Sequence, residues 1–217
     1  MGVNVQWMYG STVERKKAKL AASYALSSSF SSPSAKSSSD SSIPHEEELP
    51  QMECLDVHID GSCIHNGYSN ARGGIGIWFG ENDPRNHSES IDGFCTNNQA
   101  ELRAAIRVLE IILSSSLNFH NSSPSSEKCM QLRIHSDSKY TVNIATKWGF
   151  SWESSNYTEG GKERKNADLV KRLLYLIRSM KSVGVDVTWV WVKGHAKEKG
   201  NEGAHRLATS ATKIHHF

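Results

Sequence analysis

Leu-Asp-Val-His-Ile-Asp-Gly-Ser, residues 55–62, decides the fold. Leu55, Val57 and Ile59 alternate with polar neighbours, the period-two pattern of a strand with one buried face. At its end Asp60 meets Gly61-Ser62, a pair with turn chemistry. A carboxylate is therefore expected where the backbone leaves the sheet. Asp-Gly is also an ordinary turn dipeptide, so the weight comes from two later acids, Glu101 and Asp137, each expected at or just before the start of a helix.

Outward from that strand, Asn66-Gly67 marks a turn, Gly73–Phe79 reads as a second strand and Glu89–Phe94 as a third. Short polar connections predict antiparallel hairpins. Over residues 98–113 the period changes, with Leu102, Ala105, Leu109 and Ile112 on one helical face and Thr96 as a helix-starting residue. Ser114–Ser126 is serine-rich and reads as a surface loop. Met130–Ile134 predicts a fourth strand ending in His-Ser-Asp-Ser, followed by a helix from Lys139 to about Trp148. Ala167–Lys181 carries an apolar stripe of Leu169, Leu173, Leu176, Ile177 and Met180. Val185–Val192 is a fifth strand, and a glycine-rich loop, Gly194–Gly200, leads to a helix from Asn201 to about Ile214. The class is α/β, a mixed sheet flanked by helices. Ligands gather in such sheets where strands end and helices begin. Asp60 and Asp137 are expected at strand C-termini and Glu101 in the first turn of a helix, so the three can meet.

Composition bounds the rest. The chain has 217 residues, of which 37% are hydrophobic, and the deficit is local, in a dense serine run over residues 26–43. Residues 1–52 are expected to be a disordered serine-rich tail with a basic knot (Arg15, Lys16, Lys17, Lys19), and residues 53–215 a single domain. The net charge of +2 does not announce a nucleic-acid binder. Residues 139–178, however, hold eight basic residues (139, 147, 162, 164, 165, 171, 172, 178) against four acids (153, 159, 163, 168). Such a stripe follows a phosphate backbone or simply solvates a helix face. Cys54, Cys63, Cys95 and Cys129 show no zinc spacing and read as reduced thiols of an intracellular protein. No apolar run approaches the roughly 20 residues that span a bilayer. The basic knot fits a mitochondrial presequence, a nuclear-import patch or a plain basic tail, leaving nucleus, mitochondrion and cytoplasm open.

Crowded carboxylates repel, and a cation between them relieves the repulsion. Oxygen-only donors suit Mg²⁺ or Mn²⁺ rather than zinc. Two such ions at a phosphate stabilise both attacking and leaving oxygens, which makes phosphodiester hydrolysis the natural reaction. Each acid taken singly is equally a turn residue or a helix-start charge.

Together, Ile-Asp-Gly-Ser (59–62), Thr-Asn-Asn-Gln-Ala-Glu-Leu (96–102), His-Ser-Asp-Ser (135–138) and Gly-His-Ala…Gly-Asn-Glu-Gly-Ala-His-Arg-Leu-Ala (194–208) resemble type I ribonuclease H, in order and in strand and helix context. The resemblance covers about residues 53–214. It implies a ribonuclease H-like fold, with a five-stranded mixed sheet of three antiparallel N-terminal strands plus two parallel ones. It implies an endonuclease that cuts the RNA strand of RNA–DNA hybrids with two Mg²⁺ ions, Mn²⁺ substituting, and leaves 5′-phosphate and 3′-hydroxyl ends. Asp60, Glu101 and Asp137 match three of the family's four metal-holding acids, Asp60 bridging both ions. The fourth falls on His205, which offers nitrogen in place of charged oxygen. That departure implies either an enzyme weaker in Mg²⁺ and relatively better in Mn²⁺, or a pseudoenzyme that grips hybrids without cutting them.

Further matches follow from the same resemblance. His195 corresponds to a mobile-loop histidine that moves protons or helps product leave, with Glu202 as a lesser candidate to tune that loop. Asn66, Asn97 and Asn98 correspond to residues that touch RNA near its 2′-hydroxyls, and Thr96 and Asn166 to residues that pocket a DNA phosphate. Some family members place an arginine just before that threonine, where this chain has Phe94 and Cys95. Tyr140, Trp148 and Trp152 correspond to an aromatic channel for the DNA backbone, ringed by Lys147, Lys162, Arg164 and Lys165. No hybrid-binding module is visible in residues 1–52, no membrane partner is expected, and the molecule is expected to be a monomer. A purely structural domain would leave the three acids without purpose.

Overall fold

The structure, a computed structural model, describes residues 53–120 and 130–213. The basic knot, the serine tract, residues 121–126 of the second serine-rich stretch and residues 214 and 215 lie outside the described residues. Five strands form one sheet: β1 (Glu53–Ile64), β2 (Arg72–Trp78), β3 (His87–Ile91), β4 (Met130–Ser136) and, after a small hairpin of β5 (Thr158–Glu159) and β6 (Lys162–Glu163), β7 (Val185–Trp191). Their order is β3-β2-β1-β4-β7. β1, β2 and β3 run antiparallel, whereas β4 pairs in parallel with β1 and β7 in parallel with β4. This is the mixed sheet the sequence predicts.

Alternation fixes which face of β1 does what. Val57 and Ile59 are fully buried, in one core with Leu132 and Ile134 of β4 and Ile75 and Ile77 of β2. Onto that core pack α1 (Asn97–His120), through Leu102, Ala105, Leu109 and Ile112, and α4 (Ala167–Ser182), through Leu169, Leu173, Leu176 and Met180. Burying one such side chain stabilises by about 1.5–3 kcal/mol. The other face of β1 carries Asp56, His58 and Asp60 and is covered by α5 (Lys199–Ala211). There Gly74 and Gly76 of β2 admit the helix: a Cβ at either would lie within 2.2 Å of a carbonyl oxygen of α5.

Four local expectations need correction. Gly61-Ser62 is no turn: β1 continues to Ile64, with Gly61 opposite Ile75 and Ser62 opposite Gly74. Asp60 is therefore inside a strand, although it lies two residues beyond the last parallel pair with β4, His58 opposite His135. α1 begins at Asn97, so Glu101 sits in the second turn, not the first. The start is a capping box: the Gln99 amide donates to Thr96 Oγ1 at 3.4 Å and the Thr96 amide to Gln99 Oε1 at 2.9 Å. α1 also runs through the first part of the serine-rich stretch to His120, with Ser114 and Ser115 hydroxyls donating to the carbonyls of Glu110 and Ile111. Finally, the helix after Asp137 does not stop at Trp148. It runs from α2 (Lys139–Asn143) through a π-helical turn (Ile144–Trp148) into α3 (Gly149–Ser154).

Candidate active site

Three elements bring three acids together. β1 supplies Asp60, α1 supplies Glu101, and the turn after β4 supplies Asp137. A ligand oxygen of each lies within 4.8 Å of the other two, and Asp60 and Glu101 are buried, at 5% and 4% exposure. Gly61 makes the approach possible. The α1 backbone lies so close that a Cβ on Gly61 would stand 2.1 Å from the Glu101 nitrogen, and the Gly61 amide donates to Glu101 Oε2 at 3.2 Å.

Asp137 is held from several sides. Trp191 Nε1 donates to its carbonyl at 3.0 Å, Asn201 Nδ2 donates to its Oδ2 at 3.1 Å, and Gly194 leaves room for that same oxygen, 2.7 Å from where a Cβ would stand. His205 binds Asp60 Oδ2 through Nδ1 at 2.9 Å, and the ring of His195 stands edge-on to His205 at 5.3 Å. His195 itself is exposed and has a left-handed backbone, φ 54°. Sequence reasoning missed Asn201, which is 3% exposed, with Oδ1 unpartnered. Its signal was its place one helical turn before His205, on the same face of α5.

The electrostatics fit a divalent cation. Burial, followed by the charges of Asp60 and Asp137, pushes Glu101 well above the usual carboxylate range. Burial also raises Asp60, reinforced by Asp137 and opposed by the His205 bond. An all-oxygen acidic cluster that resists ionising on its own matches a hard divalent ion. The sign of the pH effect follows. Acids with raised pKa keep their protons in the folded state after the unfolded chain has released them, so metal-free stability falls as pH rises from about 4 through the raised values of Asp60 and Glu101. A divalent cation restores stability above that window, by about 2.7 kcal/mol at a hundred times its dissociation constant. Melting with chelator and with Mn²⁺ across pH 4–8 checks this; equal Mn²⁺ shifts at both ends would contradict it.

The remaining expected residues form two groups. In the first, Asn66 Oδ1 accepts from the Asn97 amide at 3.2 Å, next to the exposed Asn98 and the cap Thr96. In the second, Asn166 Nδ2 donates to the Tyr140 hydroxyl at 3.3 Å, and the rings of Tyr140 and Trp148 lie 6.4 Å apart. Trp152 packs against the core with the Arg164 guanidinium 5.0 Å above its ring. Lys147, Lys162 and Lys165 are exposed, while Glu159 pairs with Arg164 and Glu163 with Lys171. Among the described residues no hydrogen bond joins Thr96 to Asn166. Glu202 donates its backbone amide to the Glu198 carbonyl at 3.0 Å and lines a cleft with Trp78, Glu81, Lys199 and Arg206.

A family model described as RNase H matches residues 52–213. Ribonuclease H1 of Homo sapiens is 32% identical over 158 residues, 72% of this chain and 49% of that protein, so the chain spans about half the length of that relative. Ribonuclease H of Ruthia magnifica is 32% identical over 161 residues, 74% of this chain and 96% of that protein. The fold is shared with a foamy viral protease-reverse transcriptase solved in complex with an RNA/DNA hybrid, at a TM-score of 0.54 and 16% identity, over 83% of this chain and 23% of that one.

Proposed function

We propose, on the premise that the chain belongs to the RNase H family, that it is an endonuclease hydrolysing the RNA strand of RNA–DNA hybrids. The convergence of Asp60, Glu101 and Asp137 oxygens within 4.8 Å carries this reading. These acids would hold two Mg²⁺ ions, with Mn²⁺ as substitute. When bound, such ions supply positive charge for the oxygens of a phosphate undergoing displacement.

The chain's own groups do the rest. Gly61 and Asn201 fix the rotamers of Glu101 and Asp137, so the oxygens are aimed before substrate arrives. Asn66, Asn97 and Asn98 read the 2′-hydroxyl that separates RNA from DNA. The aromatic group of Tyr140, Trp148 and Trp152 and the lysines beside it take the DNA strand. Thr96 and Asn166 contact one of its phosphates. His195, exposed and edge-on to His205, moves protons between the site and solvent. The molecule acts as a monomer.

His205 sets the metal preference. Its Nδ1 is engaged with Asp60 Oδ2, and the ring stands beside the three acids whose oxygens converge within 4.8 Å without joining that group. Imidazole nitrogen favours Mn²⁺ over Mg²⁺. Incubation of a labelled hybrid with either ion tests the reading: cleavage of the RNA strand into 5′-phosphate and 3′-hydroxyl ends is expected, faster in Mn²⁺. His205→Asp is expected to raise Mg²⁺-supported cleavage by about tenfold and to narrow the Mn²⁺/Mg²⁺ ratio. The same change adds a fourth repelling carboxylate and lowers the metal-free melting temperature. Tight hybrid binding with no cleavage in either ion would show a non-catalytic binder instead.

A further inference from the structure

We infer that Glu198 is a positioning residue, which clamps the loop carrying His195 onto the strand carrying Asp60 by pairing with His58. Glu198 immediately precedes α5, at the N-cap position, yet its side chain caps nothing. Instead, Oε1 lies 2.7 Å from His58 Nε2. The approach is off the ring's N–H axis, so Nε2 has no aligned hydrogen bond and the two side chains meet as a close-packed contact.

His58 is a firm anchor. Its side chain is only 12% exposed, and Gly200 of α5 rests on the imidazole, leaving no space for a Cβ. The ring stacks on His135 of β4 at 4.5 Å and stands edge-on to Trp78 at 5.9 Å. Below, His135 Nε2 bonds Asp56 Oδ1 at 2.7 Å, and Asp56 Oδ2 pairs with Arg133 at 2.5 Å. The clamp is thus rooted in two adjacent strands of the sheet.

The loop it holds needs holding. His195 and Lys197 both have left-handed backbones, φ 54° and 62°, a conformation that side chains other than glycine disfavour. At one end Gly194 fits against Asp137; at the other stands Glu198. Released there, the segment relaxes and His195 leaves His205. Glu198 touches neither the three acids nor either proposed nucleic-acid group, so its loss acts on turnover and not on substrate binding. This consequence for activity rests on the hybrid-cleaving reading; the clamp itself does not.

Amide hydrogen exchange and steady-state cleavage on the full chain test both levels. In Glu198→Ala, exchange over residues 194–199 is expected to rise at least about fivefold, with the sheet unchanged. kcat on a hybrid falls about five- to tenfold at unchanged KM. Glu198→Gln keeps the length and an oxygen facing His58, and is expected to restore most of both. Unchanged exchange in Glu198→Ala overturns the clamp, whether or not the wild type cleaves. A loosened loop with unchanged kcat, or a kcat loss matched by a rise in KM, overturns the positioning role. If the wild type proves inactive, the exchange result alone decides the clamp and the functional reading fails separately.

Discussion

Asp60→Asn is expected to lower hybrid cleavage by on the order of 10³-fold or more, in Mg²⁺ and Mn²⁺ alike, while the protein stays folded and still binds the hybrid. Asp60 is the acid on the central strand, with Glu101 and Asp137 beside it and His205 bonded to its outer oxygen. The amide keeps the shape, and its oxygen still accepts from His205. It removes the charge that makes the cluster a cation site. The same removal relieves a buried carboxylate that burial and Asp137 already push toward protonation. Metal-free stability should therefore rise, by about 2–4 °C of melting temperature per kcal/mol relieved in a domain of this size. Activity and stability move in opposite directions, as expected where function maintains an unfavourable arrangement. Quenched cleavage assays and melting curves on the two proteins decide it. Cleavage within tenfold of the wild type, or a fall in metal-free melting temperature, would show that Asp60 is not the centre of a cation site.

Gly61→Ala should damage fold and activity together. The added carbon would lie 2.1 Å from the Glu101 nitrogen, 2.3 Å from the Ala100 carbonyl carbon and 2.6 Å from the Glu101 Cα. All three are backbone atoms, so no side chain can swing aside and α1 must back away from β1. Overpacking costs about 1–3 kcal/mol where side chains give way, and a backbone obstacle puts the cost at or above about 3 kcal/mol. The retreat also breaks the Gly61–Glu101 hydrogen bond and draws Glu101 from Asp60, and a displacement of about 1 Å at a reacting centre costs roughly 10²-fold in rate. Gly67→Ala is the control. Gly67 has φ 87° with nothing near its Cβ position, so only backbone strain of about 1–2 kcal/mol is expected. Urea denaturation and cleavage rates measure both variants. Wild-type stability in Gly61→Ala would refute the close approach of helix and strand.

The sheet was legible because alternation is a local signal. Val57 and Ile59, or Leu102 and Leu109, declare their buried faces within a few residues of sequence. What composition misread was settled at a distance. Asp-Gly-Ser has the chemistry of a turn, but β2 supplies hydrogen bonds along β1 as far as Ile64, and Gly61 is small for the sake of a helix forty residues away. Ser114 and Ser115 suggest a loop, yet their hydroxyls bond back to the preceding turn and the helix proceeds. In the site, the three acids were found through motif order. Their supports, Asn201, Trp191 and Gly194, were not, because each acts on Asp137 through a contact that only the folded chain creates. The His58–Glu198 pair had no local signature at all.

The sheet also works as a ruler. Asp60 and Asp137 each stand two residues past the last rung of the parallel β1–β4 ladder, so their spacing is inherited from strand register and not from any loop. One extra residue between Glu53 and Asp60, or between Met130 and Asp137, would turn a single acid to the opposite side and dismantle the pair, whereas Glu101 is measured against Gly61 alone. The chain can therefore change length freely between its graduated stretches and scarcely at all within them.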